Sequence, residues 1–505
     1  MRKSLLLNSL SGTTLYVANV IVAFIMSPVY IRALGNRDYG LWELVMSVVG
    51  YMGLIDLGLG GSLVRFVSIA DGRQDREDLQ QTMSTACAFF ISMGIVALLI
   101  FFTLSCSPGL IAGREARDIA NLGTVFLLLG INAAMFFPLQ VFTATLTGLQ
   151  QHYFLNSVRI VLLTGRAGVS YYLLMQYPGK GLVIMALLQP CFTAVQLVLF
   201  FGVVCLDKTI PRITWSAVSR KKAREMINFS AKSAVMMIAS RLQNQSVPLI
   251  IGYVIGLSHI VYFVMPNRLI DYAKGVSRAI GYPLAPYFGA TIGRGNQDAL
   301  KSSWLNTTLA LQIVSLALPL VIFFCGETFL ELWLGPEYST AGRMVLYILL
   351  VGLVADSLAT NAYSILIAQS RHGKPALMWL VFSVISVFLG VGGGYLWGVA
   401  GVAAGTSIAT VLGNLFTVTM ACTVMQTSLW TYFRRSLVRI FPALLILTLS
   451  LWSFGKIFPE KSYTNLVLQI SASGSTYLLA IWQFALTENI RNNLLKRLQK
   501  KIFKK

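Results

Sequence analysis

Four ionisable side chains, Arg268, Asp271, Lys274 and Arg278, fall within the twelve residues "NRLIDYAKGVSR" (267–278). On a helix they occupy an arc of about 120° and form one charged stripe. Arginine grips paired anionic oxygens through its planar fork, and lysine offers a point charge, so such a stripe suits an anion. Arg166, Lys232 and Arg241 also lie in apolar surroundings, as do Glu43, Asp56 and Asp356. Metal chemistry has no comparable signal. The histidines, His152, His259 and His372, stand apart, the six cysteines are scattered, and neither an HExxH nor a CxxC pair occurs. The cysteines read as small core residues. With no phosphate-cradling glycine loop either, no cofactor is expected.

The elements that must carry these charges are membrane helices. Of the 505 residues, 56% are hydrophobic and 12% charged, whereas a soluble chain carries about 25% charge. Mean hydropathy is +0.70. The net charge of +21 does not indicate nucleic acid, because the basic residues sit in short segments between apolar runs, the pattern of an orientation signal. Spans are expected at 5–31, 41–64, 82–104, 119–146, 160–175 and 182–205, then at 227–255, 259–281, 304–325, 344–368, 376–397 and 399–424, with two more at 437–454 and 466–485. The uncharged run 4–31 is long enough to span and reads as the first helix, not a removable signal.

Orientation follows from charge. With the N-terminus inside, about 26 of the 40 Lys and Arg residues fall on cytoplasmic segments, about 8 outside and about 6 within spans. The cytoplasmic clusters are "SRKKAR" (219–224), "YFRRSLVR" (432–439) and the tail "LLKRLQKKIFKK" (494–505). Treating 267–278 as a loop would remove one span and put that tail outside, against the charge rule. The stripe therefore belongs to the eighth helix, with Arg268 about 14 Å and Arg278 about 28 Å from its start near His259.

The chain matches itself at an offset of about 220 residues. "LGNRDYG" (34–40) aligns with "LSHIVYF" (257–263), setting Tyr39 on Tyr262. "LIAGREA" (110–116) aligns with "LWLGPEY" (332–338), setting Gly113 on Gly335 and Glu115 on Glu337. "LTGLQQH" (146–152) aligns with "LIAQSRH" (366–372), and "GLVIMAL" (181–187) with "GVAGVAA" (398–404). The expected organisation is a six-helix lobe over 1–225, a second over 226–425, and two extra helices with a basic tail over 426–505. Six helices per copy keeps both copies in one orientation, the plan of rocking transporters whose cargo site lies between two such bundles.

"ALGNRDYGLW", "LIDLGLGGSLVR" and "ELWLGPEY", in this order and spacing, resemble the polysaccharide-transport branch of the multidrug/oligosaccharidyl-lipid/polysaccharide exporter superfamily, whose best-known members are the Wzx-type O-antigen flippases. The resemblance covers essentially the whole chain. It implies a MATE-like, all-α polytopic fold of about fourteen helices, in two pseudo-symmetric six-helix bundles plus two. It further implies a non-enzymatic flippase in the bacterial inner membrane, with both termini cytoplasmic, moving undecaprenyl-pyrophosphate-linked oligosaccharide. Partners would be that cargo, membrane lipids and other polysaccharide-assembly proteins. A driving ion, proton or sodium, is left open.

On this reading Arg166, Arg241, Arg268, Lys274, Arg278 and Tyr272 would contact substrate, because a diphosphate has fixed charge and paired oxygens. Tyr262, Asn267, Asn361 and Tyr363 could hydrogen-bond sugars, or serve only in helix packing. Asp56, Asp271 and Asp356 are candidates for coupling or gating. The plainer alternatives are that Asp271 pairs with Arg268 or Lys274, its i−3 and i+3 neighbours, that Lys232 snorkels to the inner interface, that Glu43 is solvated and that Asp56 serves a hinge. Asp356 has no partner in its own segment, which favours coupling. The "GVAGVAAGTSIA" run (398–409) reads as close helix packing. Two rival functions remain. A cation exporter would want more buried carboxylates than bases, the reverse of what is found. A membrane polymerase or ligase would want an acid/base group outside, yet segments 105–118 and 326–343 lack histidine.

Overall fold

A computed structural model describes residues 2–56, 58–112, 121–371 and 373–485. Gly113, Glu115, His372 and the basic segment 494–505 lie outside the described residues, as does the side chain of Lys232. Among the described residues all regular structure is helical, which satisfies backbone hydrogen bonds where lipid offers none. The helices are α1 (Arg2–Met52), α2 (Leu59–Gly72), α3 (Arg76–Cys106), α4 (Gly109–Ala112), α5 (Leu122–Gly148), α6 (His152–Gln176), α7 (Gly181–Leu206), α8 (Arg220–Val254) and α9 (Ile260–Gly281). There follow α10 (Leu284–Gly293), α11 (Gln297–Ser315), α12 (Ala317–Leu334), α13 (Pro336–Ala368), α14 (Gly373–Val424), α15 (Leu429–Phe433), α16 (Arg439–Ile457) and α17 (Tyr463–Ala480).

Nine described segments are long and apolar enough to cross a membrane. The two longest, Leu10–Met52 and Gly373–Val424, have 43 and 52 residues, at least twice the roughly 20 one crossing needs, and both break. The α1 helix turns at Gly35, whose φ of 76° is open to glycine without strain. The α14 helix breaks at Trp397 and Gly398. Each therefore supplies two crossings, giving eleven. The other three, α8, α9 continuing into α10, and α17, carry too many charged or polar residues to pass an apolar test, and they complete fourteen. Residues 267–278 are helical throughout. The protein is a multi-pass membrane protein.

The chain folds as two compact units, Met1–Val261 and Tyr262–Lys505. In the first, α3 packs on α5, α5 on α7, α1 on α6, and α8 on α1. In the second, α13 packs on α14, α12 on α13, and α16 on α17. The division proposed from the sequence at 225/226 follows the repeat, whereas this one follows packing, which keeps α8 with α1.

Left-handed backbone positions recur at the repeat spacing. Gly35 and Gly256, Gln74 and Gly295, Gln150 and Ser370, and Gly179 and Gly398 all have positive φ, each pair 219 to 221 residues apart. Two of these positions close matching helix caps. Gln151 N donates to Leu146 O at 2.9 Å, and Arg371 N to Leu366 O at 2.9 Å, the six-to-one bond of a Schellman end. These caps lie in the aligned segments "LTGLQQH" and "LIAQSRH".

Two departures from the expected spans bear on the candidate site residues. The second span, expected unbroken over 41–64, stops at Met52 and resumes at Leu59. The cause is local: Asp56 turns its carboxylate onto the Gly58 amide, with Oδ1 accepting at 2.5 Å, and Gly58 takes φ 81°. The fifth, expected over 160–175, begins eight residues earlier at His152, which carries Arg159 into the helix.

Candidate functional site

In the second unit, α9 sorts its side chains by face. Phe263, Met265, Ile270, Ala273 and Ser277 are buried. Asn267, Arg268, Tyr272 and Lys274 are half-buried, and Asp271 and Arg278 exposed. The α13 helix runs along one edge of this charged face. Tyr262 of α9 donates its hydroxyl to Glu337, and a Cβ on Gly281 would lie 3.2 Å from the Thr360 methyl. Between these points Lys274 Nζ stands 2.9 Å from Asp356 Oδ2.

That contact revises the reading of Asp356. No partner exists within its own segment, but two come from elsewhere: Lys274 from α9, and Asn414 from α14, whose Nδ2 donates to Oδ1 at 2.6 Å. Asp271 accepts a hydrogen bond from its own helix. Its Oδ2 accepts from Asn267 Nδ2 at 3.0 Å, while the Lys274 ammonium goes to Asp356. Asp271 still feels the charges of Lys274, Arg278, Asp356 and Arg268. A bare charge facing lipid at mid-membrane costs about 2.5–3.5 kcal/mol, and this mutual neutralisation offsets much of it. The group thus holds three basic residues, Arg268, Lys274 and Arg278, with the two carboxylates Asp271 and Asp356.

Asn361 does not join the site. Its side-chain nitrogen donates to Thr308 Oγ1 at 2.7 Å and to Trp304 O at 3.0 Å, fastening α13 to α11. Tyr363 is half-buried.

In the first unit, Arg241 lies beside the break in the second span. The end of α1 meets α8 closely there: a Cβ on Gly50 would fall 2.5 Å from Gln245 Cδ, and Tyr51 and Ser246 hydroxyls are 2.5 Å apart. Gly53 leaves room for the guanidinium, as a Cβ there would sit 2.9 Å from Arg241 Nη2. Arg241 interacts electrostatically with Asp56 across this gap. Asp56 thus acts twice, holding the turn before α2 and balancing Arg241. Further along α2, Arg65 lies 4.3 Å over the Phe229 ring, a cation–π contact that ties α2 to α8. Glu43, expected to be solvated, accepts a 2.5 Å hydrogen bond from Tyr39 and is half-buried.

Arg166 belongs to a third group. Its Nη1 donates to Gln189 Oε1 at 2.8 Å, and it lines a cavity of about 300 Å³ together with Arg159. Both arginines lie on the side of α6 that carries buried Leu155, Asn156 and Ser170, whereas Val161 and Tyr172 are exposed on the other side. Sequence reasoning missed Arg159 because it placed the helix start after it. The signal was there in the seven-residue spacing to Arg166, two turns along one face.

The structure therefore gathers the predicted residues into three groups: the α9 stripe with Asp356, Arg241 with Asp56, and Arg166 with Arg159. The class these features define is a polytopic helical membrane protein with clusters of basic residues on its helices. Its fold is that of the MATE and MurJ transporters. A lipid II flippase MurJ structure in an inward closed conformation aligns with a TM-score of 0.73 and 12% identity, over 95% of this chain and 98% of that one. An inward-facing multidrug resistance MATE family transporter aligns with a TM-score of 0.64 and 14% identity, over 82% and 94%.

A family described as "Polysaccharide biosynthesis protein" matches residues 5–292, more than half of the chain, and the protein belongs to it. Two relatives are similar over most of their length. The "Putative O-antigen transporter" of Shigella flexneri is 23% identical over 391 residues, covering 74% of this chain and 87% of its own. The "Uncharacterized membrane protein EpsK" of Bacillus subtilis (strain 168) is 23% identical over 402 residues, covering 76% of each.

Proposed function

We propose that this protein is a flippase that moves undecaprenyl-pyrophosphate-linked oligosaccharide across the bacterial inner membrane by alternating access, with both termini in the cytoplasm. The observation that carries the reading is the α9 face, where Arg268, Lys274 and Arg278 gather three cations on one helix within the membrane, with Lys274 against Asp356. A diphosphate is a ligand for such a face, because its fixed charge and paired oxygens use what the guanidiniums offer. Family membership and the similarity to the Shigella relative support the substrate class. The chain performs no bond-making step in this scheme. Its work is to lower the barrier that the charged head meets in hydrocarbon.

The test is Arg268→Ala and Arg241→Ala in the native host. Loss of one charge-assisted contact is expected to lower surface polysaccharide roughly tenfold or more, with membrane-protein level unchanged. Arg268→Lys is expected to restore only part of it, since an ammonium cannot make the bidentate contact. Normal polysaccharide in both alanine variants would rule out the basic-face mechanism. Export of cationic dyes that survives in those variants would point instead to a drug exporter.

A further inference from the structure

The α6 cavity holds chemistry that a diphosphate alone does not use. Arg159 and Arg166 both line it, two helical turns and about 10 Å apart along the axis of α6. Among the described residues lining it, none is Asp or Glu. The other polar groups come from α1, α5 and α7: Asn19, Gln140 and Thr143, Thr193 and Gln196, with the rings of Phe136 and Phe192. Thr193 is aimed by its hydrogen bond to Asn132 Oδ1, 2.7 Å, and Arg166 by Gln189.

Amides and hydroxyls exchange hydrogen bonds with the hydroxyls of a sugar, and an aromatic ring covers the C–H face of a pyranose. Two guanidiniums without a carboxylate add a demand for negative charge. A neutral sugar leaves them unmatched, and leaving polar groups unpaired is what generates discrimination. Size narrows the ligand further. A cavity of about 300 Å³ is at the lower end for small-molecule sites, enough for one or two sugar rings and too small for an oligosaccharide with its carrier.

We infer that this cavity is a subsite for an anionic sugar of the transported glycan, a pyranose bearing a carboxylate that Arg159 and Arg166 neutralise. The inference rests on the flippase reading and names its cargo more closely: the glycan is acidic. The diphosphate of the carrier has related anionic chemistry, so the test must separate the two sources.

Binding to the purified, detergent-solubilised protein is measured by saturation-transfer NMR with sodium glucuronate, glucose and sodium pyrophosphate as probes. Glucuronate is expected to bind at least about tenfold more tightly than glucose, the effect of one charge-assisted hydrogen bond. Arg159→Gln and Arg166→Lys are expected to reduce it to the glucose level. Thr143→Val, a near-isosteric change that keeps both charges, is expected to weaken glucuronate and glucose alike, and it serves if Arg159→Gln fails to elute as a single species. Equal binding of glucuronate and glucose would overturn the inference. So would pyrophosphate binding that depends on Arg159 while glucuronate does not bind. A transport-competent protein that binds no glucuronate sinks this subsite alone. A protein that binds glucuronate yet whose Arg268→Ala and Arg241→Ala variants make normal surface polysaccharide sinks the basic-face mechanism and leaves the subsite standing.

Discussion

Lys274→Ala is expected to destabilise the protein by about 3–5 kcal/mol, the cost of leaving one member of a sheltered ion pair without its partner. Lys274 and Asp356 are only 23% and 25% exposed, at 2.9 Å, so solvent screens the pair weakly. Asn414 donates one hydrogen bond to Asp356 and cannot supply the missing charge. Removing both members, as Lys274→Ala with Asp356→Ala, should restore much of the stability, because Asp356 is then not left without its cation. Thermal unfolding in detergent, followed by intrinsic tryptophan fluorescence, measures the four proteins as a double-mutant cycle. If Lys274→Ala unfolds with the wild type, or the double variant is as unstable as the single one, the pair contributes nothing. The same contact bears on the proposed transport step. A diphosphate reaching Lys274 meets an ammonium already engaged, so cargo must share it with Asp356 or displace that carboxylate.

The second large effect is expected at Gly401. The two limbs of α14 meet backbone to backbone: a Cβ on Gly401 would fall 1.9 Å from Gly393 O, and one on Gly405 would fall 2.6 Å from Gly390 N. No side chain can move aside to relieve these overlaps, because the obstacles are main-chain atoms, and close approach is what small residues provide between membrane helices. Gly401→Val should therefore yield no folded protein, and Gly401→Ala should cost at least the roughly 1–3 kcal/mol of an overpacked core. Gly392 is the internal control. A Cβ there meets nothing within 4 Å, so Gly392→Ala should be neutral or stabilising by up to about 1 kcal/mol through helix propensity. Fluorescence-detected size-exclusion chromatography of tagged variants distinguishes them. A monodisperse Gly401→Ala at wild-type yield would refute the packing argument.

The fold was largely legible before any coordinates, and particular residues show why. Crossing a membrane imposes a length and a polarity on each segment, so α5, α7 and α13 stand out in one dimension. The eighth helix was harder, because Arg268, Asp271, Lys274 and Arg278 spoil its hydropathy. Counting crossings against the Lys and Arg bias, a rule that sums over the whole chain, places it as a span. The small residues of 398–409 point to close packing, and the α14 limbs meet there. The break between Met52 and Leu59 was missed because it depends on one carboxylate turning back onto its own backbone, which a hydropathy pattern does not weigh.

The site was legible as residue types and much less as partnerships. Seven residues separate Arg159 from Arg166, a spacing visible in the sequence, yet an error of eight residues in one helix start hid it. The partners of Asp356 were out of reach, because Lys274 and Asn414 lie 82 and 58 residues away and nothing local distinguishes them from other polar residues. Asn361 looked equally suited to sugar and to structure, and only its bonds to Trp304 and Thr308 decide for structure.

The sequence by itself determined that this is an all-helical membrane protein, that its halves repeat at about 220 residues, and that basic residues exceed acidic ones within its spans. Those properties belong to single segments or to sums over segments, and lipid acts on each segment directly. Tertiary structure alone decided which charges neutralise one another, that Arg241 sits in the space left by Gly53, and that two arginines of α6 open on one cavity. Such matters depend on side chains from helices far apart in the chain meeting within a few ångströms, and the identity of each helix carries no record of its neighbour.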